Sequence, residues 1–430
     1  DFLQEVREAG AVGAIVEAGH PMLNSPALEG WPLIVCDDTR HALGTLGQAW
    51  RARYDLSVIA ITGSNGKTTT KELVAHLCRA AVGADAVLST LGNFNNDIGL
   101  PLTLLRLGPQ HRYAVIELGM SHPGEIAALA RLAQPTVAIV TNAQRAHLAG
   151  MGDLAGVAAE KGSLFDALAE GGAAIVNFDD PHALSWIKRI QTGRRLMGTH
   201  VVGASATADS LSPSFVTESQ STPEGQHLHV QTPEGELEVS LPLTGMHNAS
   251  NATQALAAGY AAGLPLSQMA QALMGFGGVA GRLQTKCGLR GVELIDDTYN
   301  ANPDSMRAAI NVLTHHVAEQ GAAKETILVI GDMGEVGDEA AALHAEVGRY
   351  AAEKGVGALY AVGPLSVSAV AAFGNSYPHR AYHFAKQEAL ITALRPELTA
   401  HTRVLIKGSR SARMENVVNA LTEQSEHSQG

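Results

Sequence analysis

The sequence predicts an α/β protein of three domains: a partial α/β domain at the N-terminal end, a central parallel sheet of the nucleotide-binding kind, and a C-terminal Rossmann-like domain. Three observations predict it. Short apolar runs rich in β-branched residues, at 58–61, 114–118, 136–141 and 173–177, alternate with longer helix-like stretches. Residues 57–72, SVIAITGSNGKTTTKE, read as strand, glycine turn and helix. Polar clusters follow apolar runs near 296–300, 332–335 and 407–410, as expected at the carboxyl ends of strands in a doubly wound sheet.

Composition narrows the class. The chain has 430 residues, enough for two to four domains, and is 46% hydrophobic and 17% charged, an ordinary globular balance. A net charge of -12 argues against a nucleic-acid backbone as partner. The three cysteines, Cys36, Cys78 and Cys287, are scattered without metal-type spacing, so a reduced cytoplasm is expected. No apolar run approaches the roughly 18 residues a membrane helix needs, so no membrane span is expected. A monomer is the working expectation. The chain opens at Asp1, already inside a helix-like stretch.

Residues 1–54 alternate helix-like and strand-like pieces and read as the later part of a small domain. Asp37 and Asp38 follow an apolar run and read as a strand-end turn. Residues 55–282 carry the glycine turn. There Gly63 and Gly66 let the backbone approach anionic oxygens, Lys67 brings a point charge, Thr68 offers a hydroxyl to magnesium, and the helix start adds positive potential. The first glycine of the usual phosphate-loop spacing is absent, because Ile61 stands there. Glu117 interrupts an apolar run at a strand end and reads as a second magnesium anchor or a structural hydrogen bond. Asn142 ends the next run, and His147 follows as a loop histidine. Residues 201–240 change character and predict an antiparallel appendage with a hairpin turning near Pro233-Glu234-Gly235. Asn248 reads as the N-cap of an alanine-rich helix, with Asn251 free to offer an amide to a base. Residues 283–430 form another α/β unit with Asp296, Asp297, Tyr299 and Asn300, then Asp332 and Glu335, then Lys407, Ser409 and Arg410 at strand ends. For the last cluster a solvated basic face is the alternative.

Several stretches together resemble the Mur ligases of bacterial cell-wall synthesis: ITGSNGKTTTKE, STLGNFNNDIGLPLTLLRL, VIELGMSHPGEI, TNAQRAHLAGMGDLAGVAAEKG, LTGMHNASNATQALA, GRLQ, DDTYNANPDSM, LVIGDMGEVG and LIKGSRSARME. They span residues 61–415. The branch they resemble most adds D-Ala-D-Ala to UDP-N-acetylmuramoyl-tripeptide in the cytoplasm, with ATP and magnesium. The resemblance implies ATP contacts from Gly63, Ser64, Asn65, Gly66, Lys67, Thr68 and Thr69. It implies adenine contacts from Asn248, Asn251 and Asn300, a ribose contact from Asp297, and ribose and phosphate contacts from Arg282. Thr68, Glu117, His147 and a carbamylated Lys161 would form the magnesium site, with Lys67, His147 and Lys161 catalytic. Thr90, Asn93 and Asn96 would lie beside the muramoyl-peptide, and Lys407 and Ser409 would close over the ligands. The family's first domain is usually longer than 54 residues, so its first part is expected to be absent here. Another Mur ligase, a folylpolyglutamate-synthase-like ligase, a P-loop phosphotransferase and a nucleotide switch are the competing readings.

Overall fold

The structure, a computed structural model, describes residues 2–204, 214–222, 224–319, 325–376 and 380–422. Strands β1 (Ala14–Glu17) and β2 (Leu33–Cys36) pair in parallel as a small sheet. The helix Thr39–Arg51 follows, capped by Asp38, whose carboxylate accepts from the Arg40 and His41 amides. Its buried Arg51 guanidinium donates to the carbonyls of Ala133, Tyr54 and Gln134 and ties this segment to the next sheet.

That next sheet has nine strands. They are β3 (Ser57–Thr62), β4 (Val87–Ser89), β5 (Tyr113–Glu117), β6 (Val137–Val140), β7 (Ala173–Asn177), β8 (Arg195–Val201), β9 (Phe215–Thr222), β10 (Gly225–Thr232) and β11 (Gly235–Leu241). In space the order is β11-β10-β9-β8-β7-β6-β3-β5-β4. β3 lies between β5 and β6, parallel to both. Successive side chains of a strand face opposite ways. Val58 and Ala60 therefore enter one core and Ile59 and Ile61 the other. Helices cover both faces, so the inner strands read as unbroken apolar runs.

The predicted hairpin turns at Pro233-Glu234, closed by the pairing of Thr232 with Gly235. It is not an appendage. β9 pairs in parallel with β8, and β10 and then β11 continue the same sheet antiparallel. Leu228 and Val230 face inward to the core shared with the helix Met246–Ala261, while His227 and His229 face outward.

The last sheet has six strands in the order β12-β13-β17-β14-β15-β16. These are β12 (Gln284–Cys287), β13 (Glu293–Asp297), β14 (Glu325–Gly331), β15 (Ala358–Val362), β16 (Arg380–Phe384) and β17 (Thr402–Lys407). β13, β17 and β14 are parallel neighbours, so the three polar clusters predicted at strand ends share one edge of the unit. Among the described residues no helix is long and apolar enough to cross a membrane.

Candidate functional site: a phosphate loop facing the third sheet

The loop between β3 and the helix Lys67–Val82 is locked by its glycines. Gly63 has φ +151 and Gly66 φ +82. A Cβ at 63 would stand 1.7 Å from Thr141 Oγ1, and one at 66 would stand 2.3 Å from Asn251 Oδ1. Asn142 clamps the loop. Its backbone carbonyl accepts from the Ser64 amide, its Oδ1 from the Asn65 amide, and its Nδ2 donates to the Asn65 carbonyl. Lys67 curls back over this turn, donating from Nζ to the carbonyls of Gly63 (2.8 Å) and Ser64 (3.2 Å). Burial pushes its ammonium below the ordinary lysine range, and the Glu117 charge opposes that. The turn thus presents amides, a helix start and a cation, the chemistry of a phosphate cradle.

The third sheet reaches this loop. The side chains of Asn65 and Asn302 exchange hydrogen bonds at 3.2 and 2.8 Å. Arg282 donates to Thr68 Oγ1 at 3.2 Å, and its guanidinium stacks on Tyr299 with 4.0 Å to the ring centroid. Its Nε is buried without a hydrogen-bond partner.

Glu117 ends β5 beside the loop and is 2% exposed. One carboxylate oxygen accepts from Asn95 Nδ2, while Oε2 is buried with no partner. Such an orphaned anionic oxygen suits a cation better than a core. Among the described residues no group of three or more His, Cys, Asp or Glu forms a ready-made metal cage. Magnesium does not demand one, because it commonly uses one or two carboxylates together with water and substrate phosphates. Thr68 and Glu117 fit that pattern.

His147 adopts the left-handed backbone, with φ +58, ahead of the short helix Leu148–Met151. Its Nδ1 lies 2.7 Å from Glu335 Oε2 of the third unit, outside good hydrogen-bond geometry. Glu335 is held below the ordinary carboxylate range, first by His147 and also by Lys67. Lys161 is 1% exposed. Burial, then the Lys67 charge, pushes its pKa well below the ordinary lysine value, against the pull of Glu160.

A cavity of 640 Å³ opens between the second and third sheets. Of the expected ligand-binding residues, Asn65, Gly66, Thr69, Asn248, Asn251, Arg282, Asp297 and Lys407 line it. Gly63, Ser64, Lys67, Thr68, Asn300, Thr90, Asn93, Asn96 and Ser409 do not, nor do Glu117, His147 and Lys161. Asn248 is not the N-cap. Gly245 holds that position, and Asn248 one turn in donates to the Thr244 carbonyl and accepts from Asn251. Gly245 has φ +93, which the loop needs before the helix can start. Lys407 is buried and ion-paired with Asp297 at 2.6 Å, so it is no solvated face. Asn300 is exposed, and its carbonyl accepts from Lys407. Ser409 is buried, with its hydroxyl 3.1 Å from that of Ser411. Thr90 accepts the Glu117 amide through its hydroxyl, while Asn93 and Asn96 are exposed, Asn96 capping the turn at Ile98 and Gly99.

Sequence reading missed three participants. Arg145 bridges Asp304 and Glu346 of the third unit at 2.7 and 2.8 Å, and those anions raise its pKa. His247 lines the cavity, where burial lowers its pKa to about 4. Asn302 caps the helix Pro303–Glu319 by accepting from the Ser305 amide while gripping Asn65. The Asn-Pro step at 302–303 was the available signal for that cap.

The profile described as Mur ligase middle domain matches residues 61–259, and that described as Mur ligase, glutamate ligase domain matches residues 281–410. The UDP-N-acetylmuramoyl-tripeptide–D-alanyl-D-alanine ligase of Escherichia coli (strain K12) is 39% identical over 425 residues, covering 98% of this chain and 88% of the relative. A crystal structure of MurF from Acinetobacter baumannii superposes with a TM-score of 0.83 at 33% identity, over 98% of this chain and 88% of that one. The MurF ligase of Thermotoga maritima, solved with ADP, shares the fold with a TM-score of 0.80 at 22% identity, over 98% of this chain and 90% of that one. Matched to such relatives over nearly all of its length, the chain belongs to the Mur ligase family.

Proposed function

We infer that the chain is an ATP-dependent ligase joining D-Ala-D-Ala to UDP-N-acetylmuramoyl-tripeptide in peptidoglycan precursor synthesis. The observation that carries the reading is the cavity, where a phosphate loop and Arg282, just ahead of the third unit, meet Asp297 and Lys407 from that unit. The relative named above acts on those substrates.

A carboxylate resists attack by an amine until its oxygen becomes a leaving group. An oxygen of the tripeptide carboxylate attacks the γ-phosphorus of ATP, the bond to the bridging oxygen breaks, and ADP departs. The dipeptide amine then adds to the acyl carbon. The carbon–oxygen bond to phosphate breaks, phosphate takes the electron pair, and the nitrogen loses a proton. Two anions must meet for this to begin. Lys67 and the loop amides neutralise charge near the phosphates, and Arg282 serves the sugar and phosphate side. Asn248 and Asn251 face the base and Asp297 the ribose, while Thr90, Asn93 and Asn96 flank the peptide. Thr68, Glu117 and His147 would hold magnesium, which supplies further neutralisation of phosphate charge.

Carbamylation of Lys161 belongs to this reading. Burial next to Lys67 favours the neutral amine. A neutral amine nitrogen can attack the carbon of CO₂ and lose a proton, leaving a carbamate anion. That anion suits a cation site, whereas an ammonium repels one.

The test is isotopic. With both carboxylate oxygens of the acceptor labelled with ¹⁸O, one label is expected in the released phosphate. Turnover that leaves phosphate unlabelled would remove the acyl-phosphate step.

A further inference from the structure

The contact between His147 and Glu335 is not used by the chemistry above. It joins loops from different sheets, one after β6 and one after β14. Both residues have φ +58, a conformation that non-glycine residues seldom adopt and that clusters at functional sites. Each loop is held firmly. Gly150 sits so near Ser121 that a Cβ there would stand 2.0 Å from its carbonyl oxygen. On the other side the His344 ring accepts from the Met333 amide at 2.9 Å, and the Ser409 amide donates to the Asp332 carbonyl at 3.0 Å. The loops also pack directly, since a Cβ at Gly337 would meet Ala149 Cα at 3.9 Å.

The atoms in contact matter. An imidazole serving a metal binds through one nitrogen and is oriented by a carboxylate on the other. Glu335 approaches Nδ1, so a cation held by this ring would bind through Nε2. The contact is short yet imperfectly aligned.

We propose that Glu335 is a positioning residue for ligation: reaching from the third sheet, its carboxylate orients His147 through Nδ1, so the cation site is complete only while the two sheets are docked. The inference rests on His147 serving the cation. It differs from ordinary domain packing because it predicts an effect on metal affinity from a residue that holds no metal.

The probe is Mn²⁺ with ADP, its binding read from loss of the free-ion electron paramagnetic resonance signal, together with kcat and the KM for each substrate. Glu335→Ala is expected to weaken Mn²⁺ binding and lower kcat by about 10-fold or more, with the KM for D-Ala-D-Ala unchanged. Glu335→Gln, which still accepts a hydrogen bond, is expected to recover most of both. In a His147→Ala background, Glu335→Ala is expected to add nothing. If His147→Ala weakens Mn²⁺ binding but Glu335→Ala does not, or if the two losses multiply, the positioning role is overturned while the metal role of His147 stands. If His147→Ala leaves Mn²⁺ binding intact, both fall.

Discussion

At residue 66 there is no room for a side chain. The backbone is left-handed and the Asn251 amide fills the space a Cβ would need. Gly66→Ala is therefore expected to cost about 1–2 kcal/mol in backbone strain alone, and to displace Asn251 from under the loop. Calorimetry should read a fall of at least about 10-fold in affinity for a non-hydrolysable ATP analogue, a loss of 1.4 kcal/mol or more. Unchanged affinity would mean that the loop does not cradle phosphates. Lys161 supports a second expectation at this scale. Lys161→Ala should lose roughly 100-fold in kcat, as loss of one charge-stabilising group commonly does, and ¹³C-bicarbonate should give a carbamate resonance in the wild type that the variant lacks. Near-normal turnover by both Lys161→Ala and Lys161→Glu would exclude carbamylation.

At the scale of elements, inner strands were legible and interfaces were not. β3, β5, β6 and β7 are covered on both faces, so their residues are continuously apolar and announce themselves. β9 carries Glu218, Gln220 and Thr222 on its outward positions and Ser219 and Ser221 on the other face, which hid its membership of the central sheet. Asn248 was misread because its motif contains a good capping residue, while the cap position is set by the positive φ of Gly245 three residues earlier. Arg145 gave no local signal, since its partners lie 159 and 201 residues away. The Asn65–Asn302 pair spans 237 residues and was equally invisible. What the motifs did reveal was the chemistry of each loop, not which loops face each other. Arg145 tests the docking of those elements. Breaking its half-buried pairs with Asp304 and Glu346 should cost roughly 1–3 kcal/mol. Arg145→Ala should raise the radius of gyration read from small-angle scattering and raise the KM for ATP. An unchanged radius with unchanged KM would show that the ion cluster does not hold the third unit in place.

At the scale of the whole molecule, one reaction explains why the phosphate loop and the third unit share a cavity. A phosphotransferase needs ATP and one acceptor, and a nucleotide switch needs ATP alone. A ligase must hold ATP, a carboxylate and an amine together and keep water from the activated acyl group. The docked second and third sheets, joined at Asn65–Asn302, Arg282–Thr68 and His147–Glu335, bring the phosphate loop and the third unit's strand ends to one cavity. The most direct measurement is phosphate release from ATP and magnesium, with UDP-N-acetylmuramoyl-tripeptide present and D-Ala-D-Ala added or withheld, and the product identified by mass. The account predicts release only when both are present, with a product extended by the dipeptide. Release that proceeds equally without the dipeptide, or a product carrying phosphate instead of D-Ala-D-Ala, would contradict it.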